Sequence, residues 1–370
     1  MSTHLLQEGK TISNKWHVER FLGEGAFAEV YRVRHKIFGR QAMKVFKRIG
    51  MKLEEVEEIL QEPVLLAGIN HPNIIRVFDA DTTETFQGIC CFFTMEYVAG
   101  GTLERFWRSF GNRFVPIQNV VDLITQVATG LSLAHSNDPP IVHRDIKPQN
   151  VLVGYDNIGL RARIADFGLA KKFNVLTMAL TGLGTKFYKP PEVLANLKND
   201  SPAGDIWAIG TCFYLLLTDR FPFANDSDLE VLDAIRFERP LVPPSKLNVS
   251  VDEYLDELVC RCLALNPAER FSNARELTDA LQRWRPRNRN RTKPIDVAQF
   301  SDIPKNALGS RSSPNEQMGK SMAKEALDLS RYVGKLNEAA DLMEEAFNNW
   351  PSLRKEFEYK VTIWRKGISG

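Results

Sequence analysis

The apolar pattern of this 370-residue chain changes period once, around Gly100-Gly101, and that change constrains the fold more than any other feature. Before it, three runs rich in β-branched and aromatic residues, Trp16 to Gly23, Glu29 to His35 and Gln41 to Lys47, surround glycine turns and predict a β-meander. Between Met51 and Ile69 the residues Leu53, Val56, Ile59, Leu65 and Leu66 stand at helical spacing, and Asn70-His71-Pro72-Asn73 is a strong stop. A second strand pair ends at Phe92 to Val98. From Leu103 to Arg283 the chain reads as largely helical, with Asn119 to His135, Ala203 to Leu217 and Val251 to Leu263 as its long apolar segments. Strands followed by helices, in a chain too long for one hydrophobic core, predict an α+β fold in two lobes.

Polar residues interrupt this apolar background in an ordered way. Leu22-Gly23-Glu24-Gly25-Ala26-Phe27-Ala28-Glu29-Val30 is a glycine-rich turn between strands, where missing Cβ atoms let backbone N–H groups approach phosphate oxygens. Alone it is an ordinary hairpin, just as Lys44, fourteen residues after Val30, is alone an ordinary solvated strand lysine. Two further segments decide the matter: Val142-His143-Arg144-Asp145-Ile146-Lys147-Pro148-Gln149-Asn150 and Ile164-Ala165-Asp166-Phe167-Gly168. With Gly23, Gly25 and Lys44 they match the protein-kinase signature in order and spacing, so the chain from Trp16 to Trp284 resembles the serine/threonine protein kinase family. Gly184-Thr185, Pro190-Pro191-Glu192, Asp205-Ile206-Trp207 and Arg270 follow as further landmarks, with Pro190 a departure from the family pattern.

The resemblance implies a bilobal protein kinase fold: an extension at 1–15, a β-rich lobe at 16–98 and a helical lobe at 99–284. It implies transfer of the γ-phosphoryl of ATP, with Mg2+, to serine or threonine hydroxyls of protein substrates. Lys44 would bind the α- and β-phosphates while Glu62 holds it from a helix, although Pro63 disturbs that helix. Asp166 and Asn150 would take Mg2+, Asp145 would accept the hydroxyl proton, and Lys147 would neutralise the transferred group. Around adenine the resemblance puts Leu22 and Val30 above, Ala42 behind, Leu152 and Ala165 below, Met95 as gatekeeper, and Glu96, Tyr97 and Val98 as hinge. Each of these apolar residues taken singly is ordinary core; registration with the polar motifs promotes them. Asp205 would brace the catalytic loop, and Glu192 with Arg270 would tie down the activation segment. Arg144, costly to leave unpaired, would receive a phosphate on Thr181 or, alternatively, Thr177. Ala28 stands at the third glycine position, and Lys186 and Lys189 make the substrate-docking loop basic. The competing class is a pseudokinase-type nucleotide-binding scaffold acting through its tail; intact Lys44, Asp145, Asn150 and Asp166 weigh against it. Lys147 and the segment Gly184 to Glu192 disfavour a small-molecule kinase.

Six of the 48 basic residues fall between Arg283 and Lys293, and the other 42 face 46 acidic ones, so no chain-wide nucleic-acid field exists. Residues 285–317 read as a solvated basic and polar linker rather than a nucleic-acid contact. In the helical tail, 318–370, the residues Gly334, Leu336, Ala339, Met343, Ala346 and Pro351 resemble the second half of a tetratricopeptide repeat. The other reading is a helical hairpin from about Met318 to Trp364, packed on the kinase or on a second copy. Its stripe of Leu327, Leu336, Leu342, Met343, Phe347 and Trp350 predicts docking or self-association. Five cysteines without a C-x-x-C pair, an N-terminus without a signal-type apolar core, and a longest apolar stretch of only Ile206 to Leu217 predict a cytoplasmic chain off the membrane.

Overall fold

The structure, a computed structural model, describes residues 4–50, 70–111, 113–167, 183–196, 199–223, 234–286 and 315–369, together with Lys52, Glu54, Glu55 and Glu57. Period-two alternation builds an antiparallel sheet from β1 (Thr11–Ile12), β2 (Trp16–Glu24), β3 (Ala28–His35), β4 (Gly39–Ile49), β5 (Val77–Thr85) and β6 (Gly88–Glu96), ordered β1-β2-β3-β4-β6-β5. One face buries Trp16, Val18, Tyr31, Val33, Met43, Val45 and Phe92 and is closed by Leu5, Leu6 and Ile12 from the N-terminal extension. The other buries Ala28, Ala42, Phe46, Phe93 and Met95. Along that second face the register pairs Val30 with Lys44, Arg32 with Ala42 and Arg34 with Arg40, so an apolar stretch gives way to arginines.

The second lobe comprises α1 (Leu103–Arg108), α2 (Ile117–His135), α3 (Pro191–Ala195), α4 (Pro202–Thr218), α5 (Glu253–Cys262) and α6 (Ala274–Arg283). Thr102, Ser201, Asp252 and Asn273 cap α1, α4, α5 and α6 by accepting backbone N–H bonds, and Pro202 starts α4 where its missing donor costs nothing. Every residue of α4 from Asp205 to Thr218 is buried, which explains an apolar run without a polar face. The largely helical reading misses a hairpin within this lobe, β7 (Val151–Tyr155) with β8 (Leu160–Ile164). Runs this short cannot sustain a helix, and Asp156 Oδ1 accepts from the N–H groups of Ile158 and Gly159 to make the turn.

The tail is not a two-helix hairpin but three helices, α7 (Glu316–Leu329), α8 (Leu336–Asn349) and α9 (Arg354–Arg365). Pro351 lacks the N–H needed to continue α8 and opens the short turn into α9. Gly319 lets α7 and α8 meet, since a Cβ there would stand 2.5 Å from that of Trp350. The expected apolar stripe is covered within the chain: Leu336, Met343 and Phe347 are buried with Val361 and Trp364 of α9 and with Tyr155 of β7. Leu327, Leu342 and Trp350, the rest of the expected stripe, are half-buried against the same cluster. Of the linker, residues 287–314 lie outside the described residues.

Candidate active site

The loop between α2 and β7 is shaped by one buried carboxylate. Asp205, 2% exposed, accepts the N–H of His143 at 2.7 Å and that of Arg144 at 2.9 Å, and its Oδ2 lies 3.0 Å from His135 Nε2. Burial pushes the Asp205 pKa up, but the His135 hydrogen bond and charge and the loop N–H groups outweigh it and leave it below the ordinary value. These bonds hold Arg144 at φ 71°, a left-handed backbone that residues other than glycine rarely adopt. His143 Nε2 donates to the Ala165 carbonyl at 2.9 Å and its Nδ1 accepts the Asp145 N–H at 3.2 Å, which defines the tautomer. Phe167 packs against that imidazole with ring centroids 4.6 Å apart, and Asp166 sits at φ 65° beside it.

Pairing of Val151 with Ile164, and the Ala165 N–H bond to the Asn150 carbonyl at 2.9 Å, bring the two polar segments side by side. Asp145 is held on the same loop: Lys147 Nζ donates to its Oδ2 at 2.7 Å, and Asn150 Nδ2 donates to its carbonyl at 2.8 Å and to Oδ2 at 2.9 Å. Those bonds use the amide nitrogen of Asn150, leaving its oxygen as the end suited to a hard cation. Lys44 Nζ donates to Asp166 Oδ1 at 2.7 Å. Burial raises the Asp166 pKa, yet the Lys44 charge and hydrogen bond more than offset it and leave a carboxylate below its usual range.

The apolar residues expected around adenine converge. Ala42, Met95 and Ala165 are buried in one cluster, with Val30, Val98 and Leu152 packed against it. Leu22 is half-buried on β2, and Gly23 pairs with Val30 across the turn. Among the described residues, chain neighbours aside, no atom lies within 4 Å of where a Cβ would stand on Gly23 or Gly25, so the turn is open to them at both positions. Behind Met95 a small cavity is lined by Ile74, Ile75, Val77, Phe93, Asp166 and Phe167. In the hinge, Glu96 Oε1 meets Arg163 Nε at 2.8 Å, and the Tyr97 hydroxyl donates to Glu345 of α8 at 2.6 Å.

Lys44 pairs with Asp166; Glu62, its expected partner, lies outside the described residues, as do Thr177 and Thr181. Arg144 already has partners: its Nε lies 3.2 Å from Asp200 Oδ2 and its Nη1 donates to the Val142 carbonyl at 2.8 Å. Lys189 is not free for substrate, because its Nζ donates to the Arg144 carbonyl at 2.5 Å; Lys186 carries the basic character that remains. The brace between segments has the expected form, with Arg270 Nη1 and Nη2 donating to the two oxygens of Glu192 at 2.7 and 2.8 Å. Sequence reasoning missed His135, Asp200, Glu344 and Glu345. Nothing local marks the acids, whereas the placement of His135 at the buried end of an apolar helix was a usable hint.

A family model described as the protein kinase domain matches residues 16–283. The chain is 33% identical over 278 residues to a probable serine/threonine-protein kinase (CA_C1728) of Clostridium acetobutylicum, covering 74% of this chain and 40% of that protein. It is 32% identical over 270 residues to the serine/threonine-protein kinase ATG1b of Arabidopsis thaliana, covering 72% and 36%. The chain thus spans about two fifths of the length of these curated relatives. Among solved structures, the PknI kinase domain of Mycobacterium tuberculosis superposes with a TM-score of 0.55 at 27% identity, covering 75% of this chain and 98% of that one. A match of that extent, on a fold that brings the polar segments together, means that the chain belongs to the protein kinase family.

Proposed function

We propose that this chain is an ATP-dependent serine/threonine protein kinase. The observation that carries the reading is the fixed carboxylate of Asp145, gripped by Lys147 and Asn150 on a loop whose neighbouring strand delivers Asp166. In the reaction Asp145 orients a substrate hydroxyl and accepts its proton as the oxygen attacks phosphorus and the bond to the leaving ADP oxygen breaks. Lys147 stands 2.7 Å from the same carboxylate, where it can neutralise charge on the group in transit. Lys44 is suited to the α- and β-phosphates, and the open backbone at Gly23 and Gly25 gives phosphate oxygens room to reach N–H donors. Ala42, Met95, Leu152 and Ala165 offer an apolar slot of the kind a purine requires.

The donor set also fits Mg2+, which binds through one or two protein oxygens plus substrate phosphates rather than in a protein cage. Asp166 and Asn150 supply such oxygens, and among the described residues no cluster of three or more acidic, histidine or cysteine side chains could hold a metal ion alone. When bound, the ion supplies charge neutralisation between the phosphates. Phosphorylation of Thr181 or Thr177 belongs to this reading as a control: a phosphate there would compete with Asp200 for Arg144. A cytoplasmic setting belongs to it too, supported by five free cysteines.

Incubation with ATP, Mg2+ and a peptide library, read by mass spectrometry, tests the proposal. Phosphoserine and phosphothreonine are expected; phosphotyrosine alone, or nucleotide binding without transfer, overturns it and favours the scaffold class.

A further inference from the structure

The sheet face that carries Val30 and Lys44 continues into arginines that meet the tail. Arg32 Nη1 lies 2.7 Å from Glu345 Oε1, Arg20 Nη2 is 2.9 Å from Glu345 Oε2, and Arg40 Nη1 is 3.0 Å from Asp341 Oδ2. The Tyr97 hydroxyl completes the set on Glu345, whose side chain is 5% exposed. One turn of the same helix serves the other lobe. Glu344 accepts the Tyr155 N–H at 3.1 Å and the Arg365 guanidinium at 2.7 Å. Its carboxylate lies so near the chain that a Cβ on Gly100 or Gly154 would approach it to 3.0 or 2.9 Å. From α9, Glu358 accepts the Tyr155 hydroxyl and Arg354 lies 4.7 Å over the Phe106 ring.

From this arrangement we propose that the three-helix tail is part of the nucleotide-binding machinery, with Glu345 a positioning residue that sets the hinge for ATP through Tyr97. The inference rests on the kinase reading and deepens it. Tyr97 lies between Glu96 and Val98, the segment bordering the slot; its ring packs against the slot cluster while its hydroxyl is held by Glu345. Fixing its hydroxyl fixes the intervening backbone, because a peptide unit has only two soft torsions per residue. The helix that holds Tyr97 also holds β2, β3 and β4 through arginines and β7 through Glu344, so it spans both sides of the hinge. Buried charges of this kind resist partial replacement, since a removed partner leaves the others desolvated and unmatched. A solvent-facing tail helix would show none of these contacts.

The full chain tests this with three variants: Glu345→Gln, Tyr97→Phe, and Glu338→Gln as a control on the same helix, where Glu338 meets, among the described residues, Arg34 at 3.7 Å and Lys335 at 3.3 Å. The measurements are affinity for a fluorescent ADP analogue with Mg2+, KM for ATP, kcat and melting temperature. Glu345→Gln is expected to weaken nucleotide affinity and raise KM by about tenfold, within the range of two-site coupling, with kcat at saturating ATP preserved. Tyr97→Phe should move the same quantities less, and Glu338→Gln should leave them alone. A lowered kcat with unchanged KM would mean loss of folded protein only and overturn the proposal. So would equal shifts in all three variants, or unchanged affinity in Glu345→Gln. If Glu345→Gln does not fold, Tyr97→Phe decides, because it deletes one hydroxyl and leaves the ion pairs. Wild-type chain that binds the analogue without transferring phosphoryl defeats the kinase reading while the affinities still judge the hinge; no binding by wild type defeats both.

Discussion

Replacing Asp205 by asparagine changes one oxygen to NH2 and should disable the catalytic loop more than it destabilises the protein. Asp205 uses both oxygens: Oδ1 takes the Arg144 N–H, and Oδ2 takes the His143 N–H and faces His135. An amide keeps one acceptor, so at least one backbone donor in a fully buried place confronts an N–H group. Bonds to a charged acceptor are worth roughly 1.5–3 kcal/mol each, and breaking a buried pair costs about 3–5 kcal/mol, which puts the loss near 4 kcal/mol. In a domain of this size that corresponds to a drop of about 8–16 °C in melting temperature. Catalysis should fall further, because these bonds fix the backbone of His143 and Arg144, the latter at φ 71°, and Asp145 is the next residue. The pH response has a definite sign. The folded-state pKa is depressed, so the stabilisation is present above the ordinary aspartate value of 3.8 and is lost as pH falls through the lower folded value. Melting curves of both proteins from pH 3 to pH 7, with turnover at pH 7, check this. A variant within about 1 kcal/mol of wild type that also keeps its turnover would refute the reasoning.

Three other outcomes follow from the site and the tail. Asp145→Asn should abolish phosphoryl transfer while leaving nucleotide affinity nearly unchanged, because the loss reaches the transition state; steady-state rates and a binding titration measure it. Thr181→Ala should lower activity and make it insensitive to phosphatase, with Thr177→Ala as comparison. Equal rates in wild type and both variants, before and after phosphatase, would mean that Asp200 suffices as the partner of Arg144. Burial pushes the Glu344 carboxyl up to about 7, with Arg365 offsetting only part of this. Its favourable contribution is therefore present below the ordinary value of 4.5 and lost as pH rises through about 7, and Glu344→Gln should flatten the change in chemical-denaturation midpoint across that interval.

The catalytic cluster was legible because phosphoryl transfer needs particular polar groups at fixed positions, and Lys44, Asp145, Asn150 and Asp166 stand in that order and spacing. The slot was legible only by registration with them: Ala42 or Leu152 in isolation reads as core, which it also is. The β7–β8 hairpin was hard to see because Val151–Tyr155 is a short run with no clear period, and the alternation of Leu160, Ala162 and Ile164 with Arg161 and Arg163 lasts only five residues. The tail contact was hidden for a different reason. Arg20, Arg32 and Arg40 on strands, and Asp341, Glu344 and Glu345 on a helix, look like two solvated faces, and a single sequence says nothing about which charges meet. Gly154 is the trace that could have been noticed, a glycine inside a strand where another group comes close.

The separation between Arg32 and Glu345, 313 positions, gives the molecule an order of events. A chain is made from its N-terminus at about 5–20 residues per second, and lobes fold as units once they emerge. The two lobes are complete by about Trp284, yet α8 and α9 follow some 80 residues later, a lag of roughly 4–16 s. During that interval the arginines of β2 to β4 and the ring of Tyr155 face water or whatever else binds them. A newly made molecule therefore passes through a stage in which both lobes exist and their strap does not, and a ribosome that stalls beyond residue 284 leaves a product with every catalytic side chain and an unsupported hinge.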